Sequence, residues 1–563
     1  MAPRSLCGDM LSFFRPRLPQ TLRGYTRADF LADLIAGVTV GIIALALSMA
    51  LGIASDRTPA VGIVTAIIAG FLNAALSGSK VQIAGPTAAF IPVVVGVAQN
   101  YGVDGLVVCT LVAGVILILM GISRLGVMIK YIPMPVIAGF TAGIAIYIFS
   151  TQVRDFLGLH IAEKVPAEFI GKVFVIAKHV NTIDWPSTGV ALGSVLLIKF
   201  WPRKWGSRVP GTIVAVIVGT IVVAALHLPV ETLGSRFGAE AIPRTLPPPH
   251  WPKFDWTHLS DLVRPAFTIA LLASIESLLC AVVSDGMIED KHDSNTELCA
   301  LGVANIGSAL FGGLPATGAL ARTAASIRSG ARSPVAGITH SVTLLVVVLT
   351  AAPLARFIPL PVLSAVLVIV ALNMGEWHHF ARLRHWPMSD VVVYLLTFVL
   401  TVFTDITVAV EVGMVLASVL FIRRIAETTK LTSVDERDLD YDPEHSLRGR
   451  TLPPGVAAFQ LQGAFMFGAA DRLDSVLSRR EQRPRVVILG MKRVLALDAT
   501  GLHALEEFHH HLQRRGSHLV ISGVHTQPFM ALSRGGFVEV LGEDNFCADM
   551  DTALTRAAVL AGP

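Results

Sequence analysis

The chain has 563 residues, of which 53% are hydrophobic and only 15% are charged, and its mean hydropathy is +0.64. Soluble proteins carry about 25% charged residues, so this composition excludes a purely soluble protein. The net charge of +4 is too small and too scattered to indicate a nucleic-acid partner. The five cysteines show no metal-ligating or paired spacing, and we expect no metal site, no disulfide framework and no cofactor.

The uneven distribution of charge divides the chain into a membrane part and a soluble part. The basic N-terminal segment has no apolar core before Phe30, so it does not have the pattern of a cleaved signal peptide. Apolar blocks then follow one another until ordinary soluble composition begins. The predicted domains are an N-terminal segment (1–30), a transmembrane transport domain (31–425), a charged connector (426–450) and a soluble domain (451–563).

The membrane part contains about fourteen apolar spans, in two groups of seven at about 31–226 and 262–425. Several spans are shorter than the ~20 residues that a helix needs to cross a bilayer alone. Between residues 161 and 183, apolar residues stand against Glu168, Lys172 and Lys178 in an amphipathic pattern. We expect this segment to lie at the membrane surface rather than to span it.

Basic residues concentrate in alternate loops, which predicts the orientation of the chain. With the N-terminus inside, the loops that are predicted to lie outside are poorer in lysine and arginine than the cytoplasmic loops, as the positive-inside rule requires. We therefore predict a multi-pass protein of the cell inner membrane, with a cytoplasmic N-terminus and a cytoplasmic soluble domain. The basic residues in the predicted cytoplasmic loops are Arg124, Lys130, Lys199, Arg203, Lys204, Arg208, Arg328, Arg332, Arg382, Arg384, Arg423 and Arg424.

Two stretches interrupt the apolar pattern at matching places, residues 81–89 and residues 317–325. Each is third in its group of seven spans, and each ends in Thr-Ala-Ala. The pattern predicts a short extended piece followed by a short helix, which a membrane tolerates only where it is buried in protein or lines a cavity. Such pairs are typical of inverted-repeat transporters with a site at the repeat interface. The alternative is ordinary packing of small residues between helices.

Glu276 is the only charged residue in the predicted span 267–283. About a dozen apolar or small residues precede it, and at about 1.5 Å per residue this places the carboxylate near the bilayer centre. An ionisable group at that depth costs several kcal/mol and usually faces a cavity or a partner. Two hypotheses stay open: a proton carrier that couples transport, or a structural ion pair with Arg322.

The soluble part alternates predicted strands and helices, which indicates an α/β layer domain. Its turn Leu497-Asp498-Ala499-Thr500-Gly501 joins a strand to a helix. Thr500 then lies near a helix N-terminus, where a phosphate is favoured, and it is a candidate regulatory phosphosite. The alternative is that Asp498 and Thr500 only cap the helix. The predicted strands are 456–461, 486–490 and 518–523, and the predicted helices are 469–480 and 500–513.

With these motifs together, the sequence resembles the SulP family of anion transporters over nearly its whole length. The resemblance rests on Asp-Leu-Ile-Ala-Gly-Val-Thr-Val-Gly at 33–41, Ala-Gly-Pro-Thr-Ala-Ala at 84–89, Ala-Arg-Thr-Ala at 321–324 and Gly-Ala-Arg-Ser-Pro at 330–334. The Leu-Asp-Ala-Thr-Gly turn resembles that of a STAS domain. The stretch 275–283, with Lys291 and His292, is most similar to the bacterial C4-dicarboxylate branch.

The resemblance implies an α-helical polytopic membrane protein with a seven-plus-seven inverted repeat, core and gate domains, and a cytoplasmic STAS domain. It also implies a homodimer, with an anion held between the N-termini of the third and tenth helices. Many relatives have serine where this chain has Ala321, and a proline near Ala46. The implied substrate-binding residues are Thr87, Ala88, Ala321, Arg322 and Thr323.

The resulting functional hypothesis is proton-coupled uptake of a dicarboxylate such as fumarate or succinate, by alternating access. The sodium-driven members tend to carry aspartate with a threonine four residues later, whereas this chain has Glu276 and Cys280. The alternatives are a sulfate or bicarbonate transporter, or an uncoupled exchanger or channel of the same fold. A nucleobase permease is less favoured, because that class lacks the STAS tail. We expect no enzyme, but a cytoplasmic partner for the STAS domain is compatible with the sequence.

Overall fold

A computed structural model describes residues 14–562, apart from 130–132, 164, 203–209, 239–240, 254–258, 405, 429, 434–450 and 467–483. The chain divides into two compact units, Met1–Val415 and Leu416–Pro563, which we describe separately. Most of the charged connector, the predicted helix 469–480 and the basic residues Lys130, Arg203, Lys204 and Arg208 lie outside the described residues.

The first repeat contains seven membrane segments, two of which belong to one kinked helix. That helix, α3, changes direction at Gly102, whose φ of 72° is a left-handed conformation that glycine adopts without a Cβ clash. A separate amphipathic helix, α5, follows α4. The elements are α1 (Arg27–Ala54), α2 (Pro59–Leu76), β1 (Ala84–Pro86), α3 (Ile91–Ile122), α4 (Met134–Leu157), α5 (Phe169–Lys178), α6 (Trp185–Phe200) and α7 (Gly211–Ala225).

The second repeat has the same order of elements, with a strand before its third segment. Helix α8 is the counterpart of α1, and it is continuous despite Pro265 in its first turns. Together the two repeats have the predicted fourteen membrane segments in a seven-plus-seven arrangement. The elements are α8 (Leu259–Ile288), α9 (Ser294–Leu310), β2 (Ala316–Gly318), α10 (Leu320–Arg328), α11 (Val335–Ala355), α12 (Leu360–Met374), α13 (Met388–Phe403) and α14 (Ile406–Thr428).

Length and hydropathy separate the long spans from the short ones. In the described residues, seven helices are long and apolar enough to cross a membrane on those two criteria, and α6, α7 and α13 are shorter apolar helices. Short segments need protein neighbours to cover their ends. The packing supplies these neighbours in two groups: α1, α2, α3, α8, α9, α10 and α11 form a core, and α4, α6, α7, α12 and α13 form a gate.

Asp33 joins two of the sequence motifs in the core. Its carboxylate is fully buried in α1 and accepts hydrogen bonds from the backbone N–H groups of Arg332 (2.6 Å) and Ser333 (3.1 Å). It also accepts a bond from the Tyr25 hydroxyl at 2.6 Å. The buried charge is therefore satisfied by donors from both repeats, which ties the start of α1 to the start of α11.

Glu297 forms a second buried carboxylate junction, between α9 and the end of α2. It is 0% exposed and accepts bonds from Asn73 Nδ2 at 3.2 Å, from the Ser77 hydroxyl and from the Gly78 N–H at 3.0 Å. The Ser277 hydroxyl of α8 donates to the same carboxylate at 3.4 Å. Both repeats therefore converge on this one charged group.

The described part of the second unit is an α/β domain with a five-stranded sheet. The strand order is β3-β4-β5-β6-β7, with β3 antiparallel to β4 and all other neighbours parallel. Apolar clusters lie on both faces of the sheet. The elements are β3 (Lys430–Ser433), β4 (Val456–Phe465), β5 (Val486–Leu497), α15 (Ala499–Arg514), β6 (His518–Ser522), α16 (Thr526–Arg534), α17 (Phe537–Leu541), β7 (Phe546–Cys547) and α18 (Met550–Ala561).

Replacing Glu297 by alanine leaves several buried donors without an acceptor, each of which costs about 1–3 kcal/mol. We expect Glu297→Ala to lower the unfolding free energy of the membrane domain by at least about 3 kcal/mol. The midpoint of thermal unfolding in detergent measures this loss. Glu168→Ala is the control, because Glu168 is exposed and makes no capping bond. Equal midpoints for the two variants would contradict the role of Glu297.

Candidate functional site

The centre of the membrane domain holds a two-stranded ribbon made from both repeats. Strands β1 and β2 are antiparallel, with Ala84 opposite Gly318 and Pro86 opposite Ala316. All six residues of the ribbon are buried. The Ala319 N–H extends the pairing by donating to the Ile83 carbonyl at 2.8 Å. The extended backbone at membrane depth is therefore satisfied by the other repeat, as the sequence interruptions predict.

Each ribbon strand leads directly into a helix. After β1, Thr87 is extended and a short 3-10 turn at Ala88–Phe90 begins the helical segment of α3. After β2, Ala319 is the N-cap of α10, and no side chain caps either start. The first N–H groups of a helix have no intrahelical acceptor, and the helix dipole adds partial positive charge there. Both helix N-termini can therefore serve an anion at the ribbon ends.

Arg322 crosses from the second repeat to the first. Its side chain lies in α10, is 2% exposed, and donates from Nη2 to the Pro86 carbonyl at 2.9 Å. Its Nε and Nη1 atoms are buried and have no hydrogen-bond partner. A buried guanidinium with unused donors is costly unless an acceptor arrives, and the planar fork suits an oxyanion. Arg322 is therefore both a structural link and an unfilled anion donor.

Gly85 makes room for this guanidinium. A Cβ atom built on Gly85 would lie 2.4 Å from Arg322 Nη1, well inside van der Waals contact. The absence of a side chain in β1 therefore lets the arginine approach the ribbon backbone. The Gly85 position in the Ala-Gly-Pro-Thr motif has a steric reason that sequence alone does not supply.

Glu276 lies in α8, partly buried, and contacts the first repeat. Its Oε2 atom accepts a hydrogen bond from the Thr87 hydroxyl at 3.1 Å. Among the described residues, Glu276 has no cationic partner, so the ion pair with Arg322 that the sequence left open is not formed. The carboxylate instead shares the start of the first half-helix with Thr87.

A small cavity places Glu276 between the core and the gate. The cavity has a volume of about 60 Å³ and is lined mainly by apolar side chains of α4, α8 and α14. Phe140 and Thr141 of α4 face Leu272 and Glu276 of α8 across it. A carboxylate at a boundary between two helix groups is well placed to respond when those groups move against each other.

The remaining predicted site residues have different environments. Thr323 is fully buried and accepts bonds from the Ile83 N–H at 3.0 Å and from the Cys280 thiol at 3.3 Å, so its hydroxyl holds the ribbon. Ala88 is 6% exposed in the 3-10 turn. Ala321 is exposed at the start of α10. Thr87, Ala88, Glu276, Arg322 and Thr323 are thus brought together around the ribbon, and Ala321 is on its accessible side.

Sequence reasoning missed His340, a fully buried residue of α11. Neither ring nitrogen has a hydrogen-bond partner, and a Cβ built on Gly70 would lie 3.6 Å from its Nδ1. The sequence signal that could have identified His340 is the one that identified Glu276, a titratable residue within an apolar span. Gln82 and Ser277 were also missed; they hydrogen-bond to each other and connect the approach to β1 with α8.

Two further groups have residues of the kind found in modification or metal sites. Thr500 is exposed in the first turn of α15, and the cap bond comes from Asp498, whose Oδ1 accepts from the Gly501 N–H at 2.9 Å. The described residues contain one group with metal-ligand chemistry, at Glu376, His378 and His379. In that group the Glu376 carboxylate is hydrogen-bonded to His379 Nε2 at 2.8 Å.

A two-repeat helical membrane domain with broken helices around a buried arginine, joined to an α/β domain, defines a membrane transporter. The family model of the sulfate permease family matches residues 30–397, and the model of the STAS domain matches residues 451–553. The chain belongs to this family of anion transporters, SulP, and carries a C-terminal STAS domain.

The relatives cover nearly the full chain. The putative sulfate transporter YvdB of Bacillus subtilis (strain 168) is 38% identical over 534 residues, which is 94% of this chain and 98% of that protein. The bicarbonate transporter BicA of Synechocystis is 30% identical over 548 residues, which is 94% of this chain and 95% of that protein. These identities extend through both the membrane domain and the STAS domain.

Solved structures support the same fold. Murine Slc26a9, in a structure described as inward-facing, matches with a TM-score of 0.86 at 18% identity, covering 99% of this chain and 96% of that one. The transmembrane domain of a cyanobacterial BicA matches with a TM-score of 0.62 at 30% identity, covering 70% and 98%. The predicted SulP membership and fold are therefore confirmed. The predicted C4-dicarboxylate branch is not supported, because these relatives are named for sulfate and bicarbonate.

The close approach of Gly85 and Arg322 leads to a test in the full-length protein. We expect Gly85→Ala to displace the guanidinium and to lower anion flux into proteoliposomes by about tenfold or more, equivalent to about 1.4 kcal/mol. Gly96→Ala is the matched control in α3, because a Cβ there meets no atom within 4 Å. Unchanged flux in Gly85→Ala would show that the position of Arg322 does not matter.

Proposed function

We propose that the protein is a secondary transporter of small inorganic anions, with sulfate or bicarbonate as its substrate. The single observation that carries this proposal is the buried Arg322, whose Nε and Nη1 donors are unused beside two helix N-termini. The names of the relatives, YvdB and BicA, favour these two anions over a dicarboxylate. The substrate would be carried by movement of the core helices against the gate helices.

The electrostatics of the ribbon suit an anion that must bind and leave. One buried guanidinium and two sets of backbone N–H groups supply attraction without a cluster of cationic side chains. The Pro86 carbonyl accepts a hydrogen bond from Nη2 of Arg322, and this bond fixes the orientation of the guanidinium group. The remaining donors then present a planar edge, the geometry that pairs well with an oxyanion.

Proton coupling through Glu276 is the second part of the proposal. An ionised carboxylate among apolar side chains is costly, and protonation removes that cost. Among the described residues, the Thr87 hydroxyl is the one hydrogen-bond donor to Glu276, and the carboxylate lies on the core–gate boundary. A proton taken up there would be carried with the anion. The alternative is an uncoupled exchanger or channel, in which Glu276 only positions the first half-helix.

The assembly and orientation follow from the sequence pattern and the family resemblance. We propose a homodimer in the inner membrane with the N-terminus and the STAS domain in the cytoplasm. Thr500 is exposed at a helix start and is available for phosphorylation, and the STAS domain is the proposed surface for a cytoplasmic partner.

A panel of labelled anions tests the substrate. Purified protein in proteoliposomes is expected to take up labelled sulfate or bicarbonate in a saturable way, with fumarate and succinate at least about tenfold slower. Arg322→Ala should raise the half-saturating concentration about tenfold or more, because the main positive charge is removed. Arg328→Ala is the matched control, since Arg328 is exposed at the other end of α10. Uptake confined to dicarboxylates would overturn the proposal.

The coupling role of Glu276 is tested by its pH dependence. The wild type should transport faster when the outside is acidic, because protons then enter with the anion. Glu276→Gln keeps the shape of the side chain but holds no exchangeable charge, so we expect uptake to become independent of the pH gradient. Uptake is measured at fixed membrane potential with and without sodium. A Glu276→Gln variant that keeps the full pH dependence would leave Glu276 a structural role only.

A further inference from the structure

A second, larger cavity lies on the face of the membrane domain where α1 and α4 end. We call it the vestibule cavity; its volume is about 470 Å³. Val95 and Gln99 of α3 line it, together with Tyr147 and Arg154 of α4 and Lys172 of α5. Val95 is eight residues after Thr87, so about 12 Å of helix separates the cavity from the start of the half-helix. The vestibule cavity is therefore distinct from the ribbon site but shares one helix with it.

Lys172 is the unusual residue of this cavity. The amphipathic pattern placed it with the polar residues of α5, yet it is only 4% exposed. Its ammonium lies 3.8 Å from the centroid of the Tyr147 ring, and the structure gives it no hydrogen bond and no ion pair. Glu168, one turn earlier, is exposed and does not pair with it. A cation–π contact is worth about 2 kcal/mol when desolvated, which is less than the several kcal/mol that burying an unpaired charge costs.

The other charges in the vestibule cavity are largely paired with one another. Arg236 contacts Asp155 at 2.8 Å and also bonds to Glu231. Glu163 lies 3.8 Å from both Lys178 and His179, on the outer side of α5. Asp56 and Arg57, which are neighbours in sequence, also line the cavity wall between α1 and α2, and the structure gives no ion pair between them. Among the described residues of the cavity, Lys172 is a buried cation without an ion pair, and Arg154 has a buried Nε atom without a hydrogen-bond partner.

Arg154 provides the second donor. It lies in the last turn of α4, and its Nε atom is buried without a hydrogen-bond partner. Tyr147, which carries the ring beneath Lys172, is also in α4, seven residues earlier and therefore about two turns away. Arg154 and the Tyr147 ring beneath Lys172 therefore lie about two turns apart on α4, and the guanidinium and the ammonium line the same cavity. Ser150 and Thr151 add hydroxyl groups to the same wall.

We propose that the vestibule cavity is a second anion site, in which a small inorganic oxyanion binds between the Lys172 ammonium and the Arg154 guanidinium. The identity of the anion rests on the proposed function, but the site itself rests on the two unpaired cations. An anion arriving from this face would bind here first and would wait at the core–gate boundary. Tyr147 fixes the ammonium over its ring, and its hydroxyl donates to the Ala167 carbonyl at 2.9 Å, so the ring is held in place.

The protonation of Lys172 should report on occupancy. Burial lowers the pKa of Lys172 to about 7, so the empty site loses its charge near neutral pH. A bound anion favours the charged form and raises this pKa. The groups facing the cavity are Asp56, Arg57, Tyr147, Arg154, Asp155, Glu163 and Arg236. Asp155 lies beside Arg236 and Glu163 beside Lys178, while Asp56 is exposed to solvent, so occupancy of the site is expected to dominate the response of Lys172.

Lysine-selective NMR on the full-length protein in nanodiscs tests the site directly. Reductive methylation with ¹³C-formaldehyde keeps the lysine charge, and Lys172→Arg and Lys178→Arg identify the two signals. Titration with potassium sulfate should move the Lys172 signal saturably and raise its pKa by about one unit, equivalent to tenfold tighter binding of the charged form. Lys178, exposed on the same helix, should not respond. Equal responses from both lysines, or the same response to gluconate at equal ionic strength, would overturn the proposal.

An unmodified protein gives an independent measurement. Sulfate should raise the unfolding midpoint at pH 6, and Lys172→Gln should lose part of this rise while Lys178→Gln keeps it. A full rise in Lys172→Gln would also overturn the proposal. The same measurements in the Arg322→Ala variant separate the two sites. If sulfate still shifts the Lys172 signal in that variant, the result supports the vestibule site even when sulfate transport is lost. A silent Lys172 in a protein that does transport sulfate refutes the vestibule site alone.

Discussion

The pairing of β1 with β2 is the constraint on which the membrane domain depends. Extended backbone in a bilayer leaves N–H and C=O groups that no water can satisfy. Here each repeat supplies the partner for the other, and the register from Ala84–Gly318 to Pro86–Ala316 fixes where the two half-helices begin. The Arg322 bond to Pro86 adds a side-chain link across the same junction. The site is therefore a product of the repeat interface and belongs to neither repeat alone.

Four buried charged residues of the membrane domain fall into two kinds. Asp33 and Glu297 are fully buried and have all the donors they need, so they act as fixed junctions between the repeats. Arg322 and Lys172 are buried with donors to spare. A buried charge that makes all its hydrogen bonds stabilises one structure. A buried donor without an acceptor favours the binding of a ligand, because the ligand supplies the missing hydrogen bond. The distribution of unused donors thus separates the scaffold from the places where an anion gains binding energy.

Much of the architecture follows from the sequence because hydropathy and small-residue interruptions have clear physical signatures. The fourteen segments, the two breaks before Thr87 and Arg322, and the α/β tail were all predicted from such patterns. The partners of the charged residues were not predicted. Glu276 contacts Thr87 rather than Arg322, since the rotation of α8 about its axis decides this and no spacing rule gives it.

Two other residues were not recognised from the sequence because spacing does not reveal which side chains are buried. Lys172 fits the polar side of an amphipathic helix by spacing, but the neighbouring α4 covers it with Tyr147. His340 is a titratable residue in an apolar span, as Glu276 is, and the sequence pattern alone does not show that it is buried without a partner. The dicarboxylate prediction depended on a few residues around Glu276 and Lys291, and such local similarity does not determine the size or charge of a pocket that several helices form together.

The ribbon also bears on how the chain is made. Pro86 and Arg322 are 236 residues apart, and at about 5–20 residues per second the second strand emerges roughly 10–50 s after the first. During that interval the backbone of β1 is at membrane depth without its partner, and the two half-helices have no common junction. Biogenesis must therefore shelter the first repeat until the second arrives. An arrest of synthesis between the repeats would leave a membrane-inserted segment whose polar backbone has no acceptable place in lipid.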